Sequence, residues 1–307
     1  MAYTAAALTS DENTGLSNDK PMMVLQSANS PTDAHWTTGG THASADVTES
    51  TTPAVRAHDD IGSLVTQTDT ASAGTSPKYY NFYFSAGISF DTCIILGHNL
   101  NSQSITSLKL QIADDSSFST NVVNPYVYTV SGSTDNRLTC VNLNTEDSGS
   151  YSAAGTAQRY SNVQYARIVI EHAGSKTPKL GEVFLGTRYQ LQRNPSLAWN
   201  NKDEVSVVSD FTTHSGLTKR YVQYRGQAVR RVSMALAAAA EITTIDNWFN
   251  ATEEGTKTFA YIETPNTSPQ THLMMLDSPN LRFPLVGPTE RALSFSMTEQ
   301  PPYLSRE

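Results

Sequence analysis

The sequence is short of charge, of cysteine and of long apolar runs, and each shortage removes a class of protein. Only 16% of the residues are charged, and 21 Lys and Arg stand against 29 Asp and Glu, for a formal net charge of −8. That acidic balance offers no sequence-independent attraction for a phosphate backbone, so nucleic acid is not an expected partner. Two cysteines, Cys93 and Cys140, are too few for a disulfide framework, and no C-x-x-C spacing is present. They can bridge as a single pair, although free buried thiols suit a protein assembled in a reducing cytoplasm. No window approaches about 18 uninterrupted apolar residues, and the opening MAYTAAALTSDEN has neither a basic n-region nor an apolar h-region. Membrane insertion and a recognisable export signal are therefore not expected.

The signatures of catalysis are missing as well. There is no G-x-G-x-x-G, Walker loop, H-E-x-x-H or G-x-S-x-G. The seven histidines, His35, His42, His58, His98, His172, His214 and His272, are scattered without ligand spacing. Glu171-His172 and Asp203-Glu204 are adjacent pairs on strand-like runs, where neighbours point to opposite faces. No catalytic residue and no cofactor is expected, so the chain reads as a non-enzyme. Asp114-Asp115 is the one weak metal candidate, because two carboxylates on a loop can hold a hard cation. The competing reading is a turn in which Asp and the nearby Ser116, Ser117 and Ser119 bond the backbone.

What the sequence has in abundance is Ser, Thr, Asn and Gln, with an apolar fraction of 38%. Thr and aromatic residues fit a pleated, half-buried surface, so the composition favours β-structure. At 307 residues two domains are expected. Residues 1–77 are polar and poor in apolar clusters, and predict an irregular N-terminal arm or lid that lies across the first domain with Met22 to Leu25 and Trp36 as its anchors. From 78 to 192 strand signals crowd together. KYYNFYFS is densely aromatic, FDTCIILGHNL ends in a Gly-His-Asn turn, and Leu108, Leu110 and Ile112 alternate with Ser107, Lys109 and Gln111. YVYTVSG, RLTCVNL, YARIVIEHAG and LGEVFLGTRYQL follow, the pattern of an antiparallel sandwich or jelly roll.

RNPSLAWNN marks a break near Gln192 to Asn201. Residues 193–307 then predict a second β-rich domain, from EVSVVSDFTT, LTKRYVQYR, RRVSMALAA, KTFAYIE, THLMMLD, LRFPLV and RALSFSMTE. It carries one helix near 237–250, where Ile242, Ile245, Trp248 and Phe249 recur at helical spacing. The fold class is thus mainly β, with two β-sandwich-like domains. Lys219, Arg220, Arg225, Arg230 and Arg231 lie in strand-like runs and suggest a solvated or protein-facing patch. Trp36, Trp199, Tyr221, Tyr224 and Arg225 are the candidate ligand or interface residues, since amphipathic rings serve both glycans and proteins.

FDTCIILGHNL, SLKLQIADDSSF, YARIVIEHAG and LGEVFLGTRYQL together resemble phage tail and baseplate proteins that carry a discoidin-like, or galactose-binding-like, jelly roll. The turn Gly97-His98-Asn99-Leu100, the loop Ala113-Asp114-Asp115 and the run Gly181-Glu182-Val183-Phe184-Leu185-Gly186 carry that resemblance. RRVSMALAA, the helix ending Asn247-Trp248-Phe249, Glu254-Gly255 and FAYIETP resemble a distal-tail module. The resemblance implies a structural subunit of the tail tip or baseplate, in a homo-oligomeric ring among other phage tail proteins. The subunit would be assembled in the host cytoplasm and carried in the virion. Its alternatives are a receptor- or glycan-binding adhesin of the same particle, meeting a host-surface glycan, and a capsid or neck accessory protein.

Overall fold

A computed structural model describes residues 2–8, 20–27, 30–58, 65–105, 107–129, 137–140, 143, 157–191, 193–194, 203–212, 218–237, 239–264, 271–277, 281 and 291–300. For residues 129, 137–140, 203–211, 219–228, 234–237 and 240 it describes the backbone alone. Trp199 and the rest of the expected break apart from residues 193–194 lie outside the described residues, as does all of LRFPLV except Leu281.

The chain is mainly β and antiparallel, as its composition predicts. One sheet has six strands in the order β3 (Asp33–Thr37), β5 (Lys78–Phe90), β10 (Gln158–Glu171), β7 (Ser107–Ala113) and β8 (Val123–Thr129), with β1 (Thr4–Ala7) also paired to β10. The alternation of Leu108, Leu110 and Ile112 is realised, these three being fully buried while Ser107, Lys109 and Gln111 are not. Tyr80, Phe82 and Phe84 of β5 point the same way. Together with Ile168 and Ile170 they form the inner face of a sandwich.

The facing sheet has nine strands. β9 (Arg137–Cys140), β6 (Thr92–Leu96) and β12 (Glu182–Gln190) lead to β2 (Met22–Gln26). From β2 the sheet continues through β15 (Phe259–Ile262), β16 (Thr271–Leu276), β17 (Arg291–Glu299), β14 (Thr218–Ala237) and β13 (Asp203–Thr212). Cys93, Ile95, Val183 and Leu185 close the sandwich core from this side. Farther along, helix α1 (Ala239–Ala251) sets Ile245 and Trp248 against Phe259 and Phe295, with Trp248 edge-on to Phe259 at 4.8 Å between ring centroids. A two-stranded sheet, β4 (Thr66–Gln67) with β11 (Lys179–Leu180), completes the described strands.

Two expectations change. The N-terminal segment predicted as irregular supplies strands to both large sheets, and Met22, Met23 and Val24 are fully buried because both faces of β2 are covered. Its polar flanks hide that role from a composition argument. LTKRYVQYR and RRVSMALAA, expected as separate strands, form one 20-residue strand that changes partner midway, from β13 to β17. Cys93 and Cys140 stand opposite each other in register on β6 and β9, and Cys93 is a free, buried thiol. Burial pushes that thiol up to about 12. Among the described residues no helix is long and apolar enough to cross a membrane.

The motifs that carried the family resemblance have structural work. Gly97 takes a positive φ of 67°, which glycine tolerates without a Cβ penalty. Asn99 then clasps residues 177–179, its Nδ2 donating to the Thr177 carbonyl at 3.1 Å and its Oδ1 accepting from the Lys179 N–H at 2.7 Å. At Gly186 the β2 backbone passes so close that an added Cβ would lie 2.1 Å from the Leu25 carbonyl oxygen.

Candidate functional site

Strand periodicity places the site. On β3, Ala34 and Trp36 face the core, so Asp33 and His35 lie on the outer face of the six-stranded sheet. The register aligns Asp33 with Tyr83 and Tyr83 with Tyr165, and in the next row it aligns His35 with Asn81 and Asn81 with Arg167. The chain then leaves β3, turns through residues 38–45 and returns to bridge Asp46 with Thr37. This loop lays His42 over the same face, its ring edge-on to both Tyr83 and Tyr165 at 6.1 Å. The two tyrosine rings stack at 5.0 Å and are half-buried.

The loop is tied down at several points. Arg167 donates to the Gly40 carbonyl at 2.6 Å and to Gln111 Oε1 at 2.6 Å, with its guanidinium 3.8 Å from the Phe118 ring centroid and 4.4 Å from that of Tyr79. The His42 N–H donates to the Ser116 carbonyl at 2.7 Å. Thr37 Oγ1 donates to the Gly39 carbonyl and accepts from Asn81 Nδ2. Residues from four strands and one neighbouring loop thus hold one short segment, which is the preorganisation a binding site requires.

Three donor atoms converge there. His35 Nδ1 lies 3.4 Å and His42 Nε2 3.7 Å from Asp33 Oδ2. Among the described residues these three form a group whose ligand atoms all lie within 4.8 Å of one another. His35 Nε2 donates to the His42 carbonyl at 2.7 Å, which leaves Nδ1 to face Asp33. His42 is held below the usual histidine range, first by burial and then by His35, against the opposing pull of Asp33. An open depression of about 470 Å³ lies over the group, lined also by Ala34, Ala43, Ser44 and Asp46. The histidines judged to lack ligand spacing therefore include two that the fold brings together. The available signal was the period-2 pair Asp33-x-His35, which shares a strand face; His42 arrives through the loop and carried no signal.

Trp36 and the Asp114-Asp115 pair, expected as ligand and metal candidates, have other roles. Trp36 is fully buried, its indole N–H donating to Thr66 Oγ1 at 3.0 Å and its ring 5.1 Å from that of Tyr80. It cannot serve as a surface platform, because its faces are occupied by the core. Asp115 accepts from the backbone N–H groups of Ser117 at 2.8 Å and Thr120 at 2.6 Å and from the Ser117 hydroxyl, and these donors hold its carboxyl far below the usual range. Asp114 accepts from the Tyr3 N–H at 2.8 Å and from Asn121 Nδ2 at 2.5 Å. The pair shapes a turn, and that turn supports His42 through Ser116. Tyr221, Tyr224 and Arg225 lie on β14, the two tyrosines in register with Ser209 and Val207 of β13; their side chains lie outside the described residues.

No protein-family model and no curated protein matches the sequence. Solved structures that share part of the arrangement include a GH29 fucosidase of Ruminococcus gnavus in complex with fucose, 10% identical, covering 44% of this chain and 22% of its own, at a TM-score of 0.30. The CBM32-1 and CBM32-2 domains of Clostridium perfringens ZmpB are 12% identical over 60% of this chain and 40% of theirs, at 0.29. CBM32-3 from a family 31 glycoside hydrolase of Clostridium perfringens is 14% identical over 59% of this chain and 94% of its own, at 0.27. This chain thus spans less than half the length of the fucosidase and of the two-domain structure. Likenesses at this level carry no argument about ligand or reaction, and the sandwich is read from the sheets themselves.

Proposed function

We propose that this chain is a non-catalytic, receptor-binding subunit of a bacteriophage tail, and that the outer face of its sandwich takes a saccharide. The observation that carries the binding half is the half-buried Tyr83–Tyr165 pair beside the depression over Asp33, His35 and His42. Apolar ring area next to fixed hydrogen-bonding groups is what a sugar needs, since it presents C–H faces and hydroxyls together. The particle half is supported by the sequence resemblance at Gly97 to Leu100, Gly181 to Gly186 and the Trp248 helix. In this reading the protein is assembled in the host cytoplasm, sits in the virion and meets host-surface glycan.

A glycan array followed by calorimetry on the purified chain tests the binding half. Saturable binding to a defined saccharide is expected, with affinity reduced at least about tenfold in Tyr83→Ala or Tyr165→Ala and no release of reducing ends. Binding unaffected by both substitutions would overturn the site. The same resemblance favours a second reading, a purely structural tail-tip or baseplate subunit in a homo-oligomeric ring with other tail proteins. Cryo-electron microscopy of purified particles tests it, and absence of the chain from the particle would defeat both readings.

A further inference from the structure

We infer that Asp33, His35 and His42 form a binding site for a late first-row divalent cation, with zinc as the best fit. The site does not depend on whether the chain takes a saccharide.

The chemistry of the set is specific. Two imidazoles and one carboxylate are the ligands favoured by zinc and its neighbours, whereas calcium and magnesium prefer oxygen alone. In a tetrahedral zinc site with bonds of about 2.0–2.1 Å, ligand atoms sit roughly 3.4 Å apart. His35 Nδ1 and His42 Nε2 lie 3.4 and 3.7 Å from Asp33 Oδ2, and the whole set falls within 4.8 Å. Two edges of the tetrahedral face are therefore already near their bound lengths, and the third is no longer than 4.8 Å.

The surroundings prepare these atoms for a cation. His35 Nε2–H bonds the His42 carbonyl, and this fixes the tautomer in which Nδ1 presents its lone pair. His42 Nε2 is buried and makes no hydrogen bond. A buried ring nitrogen without a partner is costly, and a metal ion aimed at by two further donors relieves that cost. The bond from Arg167 to the Gly40 carbonyl and that from the His42 N–H to Ser116 hold the loop in place before any ion arrives. The Asp33 side chain is 54% exposed and faces the depression, so the fourth coordination position is open to water.

The test is a titration of the full chain, prepared without a polyhistidine tag, with zinc chloride by isothermal calorimetry. Cobalt(II) absorption serves as the geometric readout. One zinc per chain is expected, together with visible bands of a four-coordinate cobalt centre. Asp33→Asn, His35→Gln and His42→Gln should each weaken binding at least about tenfold and remove the bands, while His172→Gln, away from the site, changes neither. Far-ultraviolet circular dichroism and thermal melting confirm that each variant is folded; for any that is not, His42→Ala serves in its place. Absence of zinc binding, binding that survives His35→Gln and His42→Gln together, or preference for calcium or magnesium would overturn the site. None of these measurements includes a saccharide, so their failure is separable from failure of the glycan reading.

Discussion

At the scale of single residues, His58 shows how burial sets chemistry. It ends a short 3-10 turn, Ala54–His58, and its ring stacks on Tyr80 at 6.0 Å and meets Phe82 edge-on at 5.6 Å. Its Nε2 is buried, and desolvation lowers the imidazole to about 3, only partly offset by the Val183 backbone. The ordinary value in an unfolded chain is about 6.5. Between those values the unfolded chain binds the proton and the folded chain does not. Stability is therefore fully present above about pH 6.5 and falls as the pH drops toward 3, by up to about 1.4 kcal/mol per pH unit for one proton. His58→Phe should flatten that limb when unfolding free energy is measured by urea at successive pH values. An unchanged slope would mean that the ring is not held neutral. Nothing in the local sequence AVRAHDD reveals this enclosure, because Tyr80 and Phe82 come from β5, distant in sequence. The candidate site was illegible for a similar reason: Asp33 and His35 share a face by periodicity, but His42 joins them through a loop whose path depends on Arg167 and Ser116, distant in sequence. Of the two roles expected of Trp36 the structure realises the anchor and not the surface platform, and an isolated Trp in a polar stretch looks the same in sequence for either.

At the scale of elements, periodicity was the reliable guide. The alternation in β7, the continuous apolar run of β6 and the Trp248 stripe of α1 all report local geometry that burial then uses. Partner choice is not written locally, so the strand role of Met22 to Gln26 and the unbroken course of β14 were not legible. Gly186 shows what a local motif can encode without announcing it. The glycine ends the Gly181 to Gly186 signature and sits where β12 passes β2, in register with Gln26. A Cβ there would lie 2.1 Å from the Leu25 carbonyl oxygen and 2.9 Å from its carbonyl carbon. Both are backbone atoms, which cannot rotate aside as a side chain can. Gly186→Ala should therefore push β2 from β12 and destabilise the protein by about 1–3 kcal/mol, read as a lower urea midpoint with unchanged slope. A neutral substitution would show that the strands separate at little cost.

At the scale of the whole molecule, β2 decides how far the two halves are independent. It pairs with β12 on one side and β15 on the other, so a five-residue strand joins the sheet of the sandwich to the sheet of the C-terminal half. Its side chains divide between two cores. Met23 and Leu25 pack with Trp248, Phe259 and Met274, while Met22 and Val24 pack with Ile94, Phe184 and Ala260 on the opposite face. A chain of two separately folding domains would tolerate damage to one of them. Here, removing β2 strips hydrogen bonds from both neighbours and uncovers apolar surface on both faces at once. Scanning calorimetry should therefore show a single transition whose calorimetric and van't Hoff enthalpies agree. Met23→Asp, which places a charge at a fully buried position, should lower that one transition as a unit instead of splitting it. Two resolved transitions in the unaltered chain, with Met23→Asp displacing only the one that reports the Trp248 core, would show that β2 belongs to the C-terminal half and that the continuous sheet does not couple the two.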